Sequence, residues 1–213
     1  MKVIQQSYEI LTDLSDSMSM LKSIECAART CYKSENNITD TSCITLCKSL
    51  ISRGHEAMLE HTQLSVKFIV DRGISHEIVR HRLFSFAQES TRYCNYSKDK
   101  FGKEIKVIAP EDLMPVLTPS YNIWLTSCKQ SEKAYFDLLE NGVKPEIARC
   151  VLPTSLATEI VVTGNIREWR HFFNLRTSNF AHPQIRSLTR QLLGELKSKI
   201  PVLFDDIVYD IEK

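Results

Sequence analysis

The sequence predicts an α+β fold in which a mixed or antiparallel sheet packs with several helices. Strand-like and helix-like segments alternate irregularly along the 213 residues, whereas a doubly wound sheet requires regular alternation. Residues 62–71 alternate apolar and polar side chains, as does a strand with one buried face. Residues 119–141 place apolar side chains at helical spacing over a long stretch. No shift in composition divides the chain, so we expect a single domain over residues 1–213.

Before the alternating segment, the pattern predicts one strand and two helices. Lys2 to Leu11 is rich in β-branched residues and partly alternates, which favours a first strand. From about Ser19 to Tyr32, apolar residues recur at spacings of three and four, which predicts an amphipathic helix. Asp40 can cap a second helix that runs to about Ser52, with Gly54 as its stop.

Beyond the alternating segment, which we expect Gly73 to end, helices dominate. Asn165 and Glu168 resemble a capping box, because an Asn side chain can cap the helix and a Glu follows three residues later. The predicted elements are a short helix at 74–80, a strand at 105–109, the long helix at 119–141, a helix opening at 145 that carries Arg149, a strand at 158–163, helices at 167–175 and 183–199, and a short piece after 201.

Charge and cysteine content exclude several classes of protein. The formal net charge is +1, whereas general nucleic-acid or membrane-surface binders carry a strong basic excess. Seven cysteines without a dense framework, and an N-terminus that opens directly into a folded pattern, indicate a reducing, cytoplasmic location. No apolar run approaches the roughly 18 residues of a membrane span, so we expect neither a membrane nor a nucleic-acid partner.

The chemically richest segment runs from residue 77 to 93. Arg80, His81 and Arg82 are adjacent, and three such groups are costly together unless an anion lies nearby. The alternative is a helix end whose basic residues favour the dipole. However, the apolar run 84–87 precedes Ser90 and Arg92, which indicates a partly buried cleft rather than a solvated basic face.

Arginines also dominate the C-terminal third of the chain. Residues 145–196 contain no lysine but six arginines, at 149, 167, 170, 176, 186 and 190. A guanidinium offers a planar fork that matches phosphate or carboxylate, whereas an ammonium is a point charge. The bias therefore predicts oriented recognition of an anion.

Two patterns could suggest metal sites, and we expect neither to bind one. His55 and His61 bracket two glutamates, but the spacing fits no common ligand pattern. Cys43 and Cys47 can share a helix face, yet no second His or Cys pair lies nearby to complete a zinc site.

The sequence contains none of the common nucleotide-binding or hydrolase motifs. Its six glycines form neither a dinucleotide-binding turn nor a phosphate loop, so a nucleotide must be held by side-chain arginines and the helix start at Asn165. Ser90 with a nearby histidine could indicate a hydrolase, but the exposed Gly-x-Ser-x-Gly turn is missing. Hydrogen bonding to an anionic ligand suits Ser90 better.

Several motifs together resemble one enzyme family. Arg80-His81-Arg82, seven residues and then Ser90, closed by Arg92-Tyr93, is similar to the signature of the flavin-dependent thymidylate synthases of the ThyX type. Further landmarks of that family occur in the same order at 27–32, 54–55, 60–61, 148–153, 164–165, 167 and 174–176.

The resemblance implies an activity and its small molecules. These are reductive methylation of dUMP to dTMP, methylenetetrahydrofolate as carbon donor, NADPH as reductant and tightly bound FAD as redox cofactor. It also implies a homotetramer with active sites between subunits, and no metal.

The resemblance further implies two sets of site residues, with catalysis assigned to Arg176 and Ser90. Arg176 is expected to lie against the uracil and to favour ionisation of its imide. The residues implied to hold dUMP are Glu77, Ile78, Val79, Arg80, Gln88, Glu89, Ser90, Thr91, Arg92, Arg149 and Arg176. Those implied to surround FAD are His55, Ala57, Arg80, His81, Arg82, Gln88, Asn165, Ile166, Arg167, His171 and His182.

The chain departs from the family pattern at several positions. Glu77, Gln88 and His171 stand where some members have Gln, Glu and Asn, and a family histidine aligns with Phe180, two residues before His182. Whether His182 takes that role is open.

Two further expectations come from the same arginines. We expect His81 to be mostly neutral at pH 7, because the flanking guanidiniums disfavour its protonation. The alternative function is a non-catalytic nucleotide- or RNA-binding module.

Overall fold

The computed structural model describes residues 1–113 and 118–209. Its strands are β1 (Lys2–Ile4), β2 (Ser7–Ile10), β3 (Gln63–Asp71), β4 (Ser85–Gln88), β5 (Lys106–Ile108) and β6 (Ala157–Asn165). Its α-helices are α1 (Ser17–Thr30), α2 (Ser42–Ser52), α3 (Arg72–Ile78), α4 (Pro119–Glu140), α5 (Pro145–Ala148), α6 (Ile166–Arg176), α7 (Pro183–Lys199) and α8 (Pro201–Phe204). Short 3₁₀ helices lie at Glu35–Asn37, Glu56–His61, Asp99–Phe101, Glu111–Leu113 and Arg149–Val151. The predicted α+β class is confirmed.

The strands form one pair and one four-stranded sheet. β1 and β5 are parallel, with Lys2 opposite Lys106 and Ile4 opposite Ile108. The other sheet has the strand order β2-β3-β6-β4. The prediction of a single strand from Lys2 to Leu11 is therefore wrong, because β1 and β2 pair with different partners and local alternation does not report the partner.

The chain divides into two compact units. The first unit comprises Met1–Ser7, Phe68–Arg80 and Phe86–Val161, and the second comprises Tyr8–Lys67, His81–Ser85 and Val162–Lys213. Strands β3 and β6 each contribute residues to both units. That residues 1–213 act as one domain stays a prediction.

The core of the first unit surrounds the long helix α4. Tyr135 on α4 is fully buried and packs in one cluster with Tyr96, Val107 and Leu156. Trp124 on the same helix donates from Nε1 to Ser155 Oγ at 2.9 Å. The helix prediction at 119–141 is confirmed, with Thr118 as its N-cap.

The core of the second unit surrounds the aromatic side of α6. Trp169, Phe172 and Phe173 are fully buried, and Trp169 Nε1 donates to the carbonyl of Leu64 on β3 at 2.9 Å. Leu64 and Val66 on β3 are also buried, as the alternation predicts. The helix that carries the predicted FAD and uracil residues is therefore rooted in the core.

Helix starts were predicted with mixed success. Asn165 caps α6 as expected, since its Oδ1 accepts from Glu168 N–H at 2.9 Å. Asp40 does not cap α2. The cap position is Thr41, and the helix start is satisfied by Thr39 and Ser42, which exchange two backbone-to-hydroxyl hydrogen bonds.

Other boundaries shift by a few residues. Gly54 ends α2 with a positive φ of 70°, as predicted. Gly73 lies inside α3, which begins at Arg72 because the Asp71 carboxylate accepts from Ile74 N–H at 2.7 Å. α3 ends at Ile78, so Arg80 lies in the following turn rather than on the helix. Arg149 caps α5 and begins a 3₁₀ turn.

None of the helices within residues 1–113 and 118–209 is both long enough and apolar enough to cross a bilayer.

Candidate functional site

A cleft of about 260 Å³ in the first unit contains two predicted dUMP residues. Arg149, directly after α5, donates from Nη1 to the hydroxyl of the buried Thr91 at 3.2 Å. Arg72 and His76, which were not predicted, lie in the same cleft, and Leu152 and Leu156 form part of its apolar wall. The structure thus brings Thr91 and Arg149 together although they are 58 residues apart.

The segment 88–92 is anchored by side-chain and backbone bonds within the first unit. Gln88 Nε2 donates to Ser75 Oγ at 2.9 Å and to Thr158 Oγ1 at 3.3 Å. The carboxylate of Glu89 accepts from Tyr96 Oη at 2.8 Å, and its carbonyl accepts from Arg72 Nη2 at 2.9 Å. Because Arg72 lines the cleft and bonds to the Glu89 carbonyl, the main chain of Glu89 lies next to the cleft.

Ser90 and Arg92 lie beyond this anchor, in a turn. Ser90 Oγ accepts from the Arg92 N–H at 3.3 Å, which fits a hydrogen-bonding hydroxyl better than an exposed nucleophile. The exposed Arg92 guanidinium lies 4.0 Å from Glu146 and 5.4 Å from the ring centre of Tyr93. Both interactions are at the surface, where such a pair contributes little to stability.

The residues at 77–80 differ in what they can offer a ligand. Ile78 is fully buried in the core, Glu77 and Val79 are half-buried, and Arg80 is exposed. Any contact from Ile78 must therefore come from its main chain.

In the second unit, His81 and Arg176 are joined by a direct hydrogen bond. Arg176, the last residue of α6, donates from Nε to His81 Nε2 at 3.0 Å. A nitrogen that accepts from a guanidinium cannot carry a proton, so Nε2 is the unprotonated atom of a neutral imidazole. The other ring nitrogen, Nδ1, lies 3.6 Å from the carboxylate of Glu168.

The pKa of His81 confirms that the imidazole is neutral but changes the reason. Burial, together with the nearby charges of Arg176 and His171, lowers the pKa of His81 to about 4, and burial is the largest of these causes. The flanking Arg80 and Arg82 were the expected cause, but both are exposed, where solvent screens their charge. Burial, which adjacency in sequence does not report, makes the larger contribution.

Aromatic rings enclose the imidazole. The ring centre of His81 lies 4.9 Å from that of Phe172, 5.7 Å from His171 and 6.1 Å from Phe84. A Cβ placed on Gly164 would overlap a carbon of the Phe84 ring, so the close approach of this ring requires glycine.

Two ion pairs place the predicted segment His55–Ala57 beside α6. Arg167 Nη1 lies 2.6 Å from Glu60, and Arg170 Nε lies 3.4 Å from Glu56. Both glutamates belong to the 3₁₀ helix Glu56–His61. His55 and Ala57 are exposed at the start of that helix, so the structure gathers two of the predicted FAD segments.

The remaining predicted FAD residues have different roles in the second unit. Asn165 is occupied as the α6 cap, and the side chain of Ile166 is fully buried. Arg82 and His171 are exposed. His182 caps α7, and its Nδ1 accepts a hydrogen bond from Gln184 N–H at 3.3 Å, so this nitrogen has a structural partner.

Sequence reasoning missed three residues of these sites. Arg72 and His76 belong to α3, whose predicted start was two residues late and therefore left Arg72 out. Glu168 was assigned only a capping role, whereas its buried carboxyl faces His81. The sequence did contain a signal for this role of Glu168, because it is a charged residue on the apolar face of α6. Within the described ranges 1–113 and 118–209, no group of three or more His, Cys, Asp or Glu side chains is arranged for a metal.

The family model described as "Thymidylate synthase complementing protein", Thy1, matches residues 13–202. The chain belongs to the Thy1 family. A flavin-dependent thymidylate synthase of Geobacter sulfurreducens is 33% identical over 189 residues, which cover 84% of this chain and 78% of the relative. Another, of Corynebacterium aurimucosum, is 34% identical over 201 residues, covering 86% and 78%. The resemblance inferred from the motifs is confirmed, and with it the prediction of an enzyme.

A solved structure supports the fold of this Thy1 family member. The UMP/dUMP methylase PolB from Streptomyces cacaoi, bound with 5-Br dUMP, superposes with a TM-score of 0.75 and covers 96% of both chains. The sequence identity is 22%, so this likeness concerns the fold.

Proposed function

We propose that this protein is a flavin-dependent thymidylate synthase that converts dUMP to dTMP. The observation that carries the proposal is the match of residues 13–202 to the Thy1 family, together with relatives of that name. Methylenetetrahydrofolate would supply the carbon and NADPH the hydride, while FAD would supply the redox chemistry that no side chain can perform.

In the first unit, the proposed task is to bind dUMP. Arg149 and Thr91 present a guanidinium and a hydroxyl in one cleft, a donor set that suits a phosphate. Ser90 and Arg92 lie in the turn that follows the anchored segment. The other proposed dUMP residues of this unit, as the family resemblance implies, are Glu77, Ile78, Val79, Arg80, Gln88 and Glu89.

In the second unit, the proposed task of Arg176 is to stabilise negative charge on the uracil ring. Its Nε is fixed by His81, so the guanidinium has a defined orientation before substrate binds. Because His81 stays neutral at pH 7, it orients Arg176 without adding a second positive charge. A preorganised guanidinium beside the imide would favour its ionisation and so activate the ring.

The residues of the second unit also fit a flavin dinucleotide. Its diphosphate requires cations, and Arg82 and Arg167 are exposed. The pair of Arg167 with Glu60 lies at the surface, where both side chains are about half exposed, so an incoming phosphate can replace that partner at little cost. His55, Ala57, His81 and His171, with the α6 start at Asn165 and Ile166, are the remaining proposed contacts, and His182 is the least constrained.

We further propose that the enzyme is a homotetramer with active sites between subunits. Leu83, Leu175 and Phe180 of the second unit are large apolar residues that are at least half exposed, which supports burial against another copy. Light scattering on the purified protein tests the assembly, and a monomeric mass at micromolar concentration would contradict it.

Reconstitution of the reaction tests the function. The purified protein is incubated with FAD, dUMP, methylenetetrahydrofolate and NADPH, and dTMP is measured in the complete mixture and with each component omitted in turn. We expect a flavin absorbance that stays with the protein through gel filtration, no dTMP when dUMP, methylenetetrahydrofolate or NADPH is omitted, and loss of dTMP without added FAD only after the bound flavin has been removed. Flavin-free protein that binds RNA and forms no dTMP would instead favour a non-catalytic binding module.

A further inference from the structure

The cleft of the first unit contains a second guanidinium that no family motif assigns. Arg72 begins α3 and lies in the cleft with Arg149, Thr91 and His76. Among the described residues that line the cleft, none is an aspartate or glutamate, so its charged groups are cationic. Two guanidiniums in one small cleft repel each other unless an anion lies between or beside them.

The backbone of Arg72 is fixed by hydrogen bonds, but one nitrogen of its guanidinium has no hydrogen-bond partner among the described residues. Its backbone N–H donates to the carbonyls of Thr154 and Leu156 at 3.1 and 3.0 Å, which fixes its backbone at the wall of the cleft. Its Nη2 donates to the Glu89 carbonyl at 2.9 Å. Its Nε is buried and has no hydrogen-bond partner within residues 1–113 and 118–209.

An unsatisfied buried N–H is unfavourable, and native structures keep few of them. A neutral carbonyl alone is also a weak partner for a charged guanidinium. A small rotation of the Arg72 head toward the cleft would let Nε and a terminal nitrogen bind one oxyanion in the bidentate manner that guanidiniums favour. The orphan donor therefore indicates a ligand rather than a finished structural contact.

The donor set also indicates the class of the ligand. A carboxylate is satisfied by one guanidinium fork, whereas a phosphate monoester has three terminal oxygens and close to two negative charges at neutral pH. Two guanidiniums and the Thr91 hydroxyl match that number of acceptors. The cleft volume of about 260 Å³ admits a phosphate with part of an attached sugar.

We propose that Arg72 is a phosphate-binding residue, which with Arg149 holds the 5′-phosphate of a nucleoside monophosphate in the cleft of the first unit. This rests on the proposed function for the identity of the nucleotide, dUMP, but not for the class of the ligand. Arg72 thereby discriminates the nucleotide from the nucleoside.

Calorimetric titration of the FAD-loaded protein tests the role of Arg72. Arg72→Gln keeps a donor for the Glu89 carbonyl and removes the charge and the fork. We expect its dissociation constant for dUMP to rise at least tenfold while that for deoxyuridine, which lacks the phosphate, changes less than twofold. Arg72→Lys, which keeps the charge but not the fork, should fall between Arg72→Gln and wild type, and Lys129→Gln on the exposed face of α4 should match wild type.

The alternatives give different results. Equal weakening of dUMP and deoxyuridine would mean that Arg72 only supports the Glu89 segment, and no change in either would exclude contact; each outcome overturns the proposal. If Arg72→Gln does not fold by circular dichroism, the comparison of Arg72→Lys with wild type decides by the same criterion.

A separate arm distinguishes failure of the proposed function. Inorganic phosphate should raise the unfolding temperature of wild type more than that of Arg72→Gln or Arg72→Lys, whatever reaction the enzyme catalyses. If wild type forms no dTMP but shows this phosphate effect, the thymidylate synthase proposal fails and the Arg72 proposal stands. If dTMP forms and neither the phosphate effect nor the dUMP selectivity depends on Arg72, the Arg72 proposal fails alone.

Discussion

Arg149 of the first unit and Arg176 of the second are both proposed to bind dUMP, yet their side chains have very different surroundings. Arg149 is exposed and donates a hydrogen bond, at 3.2 Å, to the Thr91 hydroxyl. Arg176 is half-buried at the end of α6, and its Nε is held by a buried imidazole. The exposed side chain of Arg149 bonds to a neutral hydroxyl, whereas a buried imidazole orients the guanidinium of Arg176.

The difference fits the proposed roles, in which Arg149 binds the substrate phosphate and Arg176 takes part in the chemistry. A guanidinium that must meet a phosphate can stay hydrated and adjust, because the phosphate supplies the geometry. A guanidinium that must stabilise charge as it develops has to be oriented beforehand, since reorganisation during the reaction would raise the barrier. Mutations in the second unit should therefore affect turnover and stability together, and those at Arg149 should affect substrate affinity alone.

Arg176→Ala should have the largest effect. We expect dTMP formation to fall by about 1000-fold or more, because the oriented charge beside the uracil is lost, while the protein still folds. Single-turnover rates at saturating dUMP measure the chemical step, and Arg53→Ala at the exposed end of α2 is the control. Retained turnover in Arg176→Ala would contradict the catalytic assignment.

His81 should make stability depend on pH. Its pKa is lowered to about 4, so between pH 6.5 and 4 the unfolded chain takes up a proton that the folded protein does not. The free energy of unfolding should thus fall with decreasing pH in this window, by up to about 3 kcal/mol from His81.

The buried Glu168 contributes in the opposite direction, because burial raises the pKa of its carboxyl. The readout is therefore the difference between wild type and His81→Gln, which retains Glu168, His171 and Arg176. Denaturant unfolding of both proteins at pH 7 and pH 4.5 measures it. Parallel pH profiles for the two proteins would show that the pKa of His81 is the same in the folded and unfolded states, which would contradict the lowered pKa.

Gly164→Ala should reduce stability by about 1–3 kcal/mol, because its methyl group would overlap the Phe84 ring and force the ring against Trp169. Gly194→Ala is a matched control, since a Cβ at Gly194 of α7 meets nothing within 4 Å. The control should be neutral or up to about 1 kcal/mol more stable. Thermal unfolding monitored by circular dichroism compares them, and equal stability of both variants would argue against a closely packed ring.

Arg149→Gln should have the smallest effect. Its exposed side chain contributes little to the fold, so we expect the free energy of unfolding to change by less than about 0.5 kcal/mol. The KM for dUMP should rise about tenfold, the loss of one charged hydrogen bond, with kcat nearly unchanged. Initial-rate kinetics separate the two parameters. A fall in kcat with unchanged KM would place Arg149 with Arg176 and end the contrast between them.

The features predicted correctly from the sequence are those that local spacing determines. The alternation in β3, the long helix α4 and the Asn165 cap each depend on residues within one element. The arginine and serine motifs likewise identified the family, since their spacing along the chain is itself the signal.

The features that were missed depend on distant partners. β4 spans only Ser85–Gln88 and is defined by its neighbour β6 in the sheet order, so a short apolar run was not read as a strand. The His81–Arg176 bond joins residues 95 apart, which is why burial and Arg176 were not recognised as causes of the low pKa. Arg72 was missed because α3 begins two residues earlier than predicted, where the Asp71 side chain caps the helix.

Each of the two units is built from three separate segments of the chain, which affects how the protein folds during synthesis. The polypeptide passes from one unit to the other five times, after residues 7, 67, 80, 85 and 161. Neither unit can be excised as a contiguous fragment for expression. During synthesis the first unit is incomplete until the segment that begins at residue 86 has been made. The second unit is incomplete until the segment that begins at residue 162 has been made. Because distant segments must close before their contacts form, we expect slow refolding and vulnerability to aggregation during synthesis.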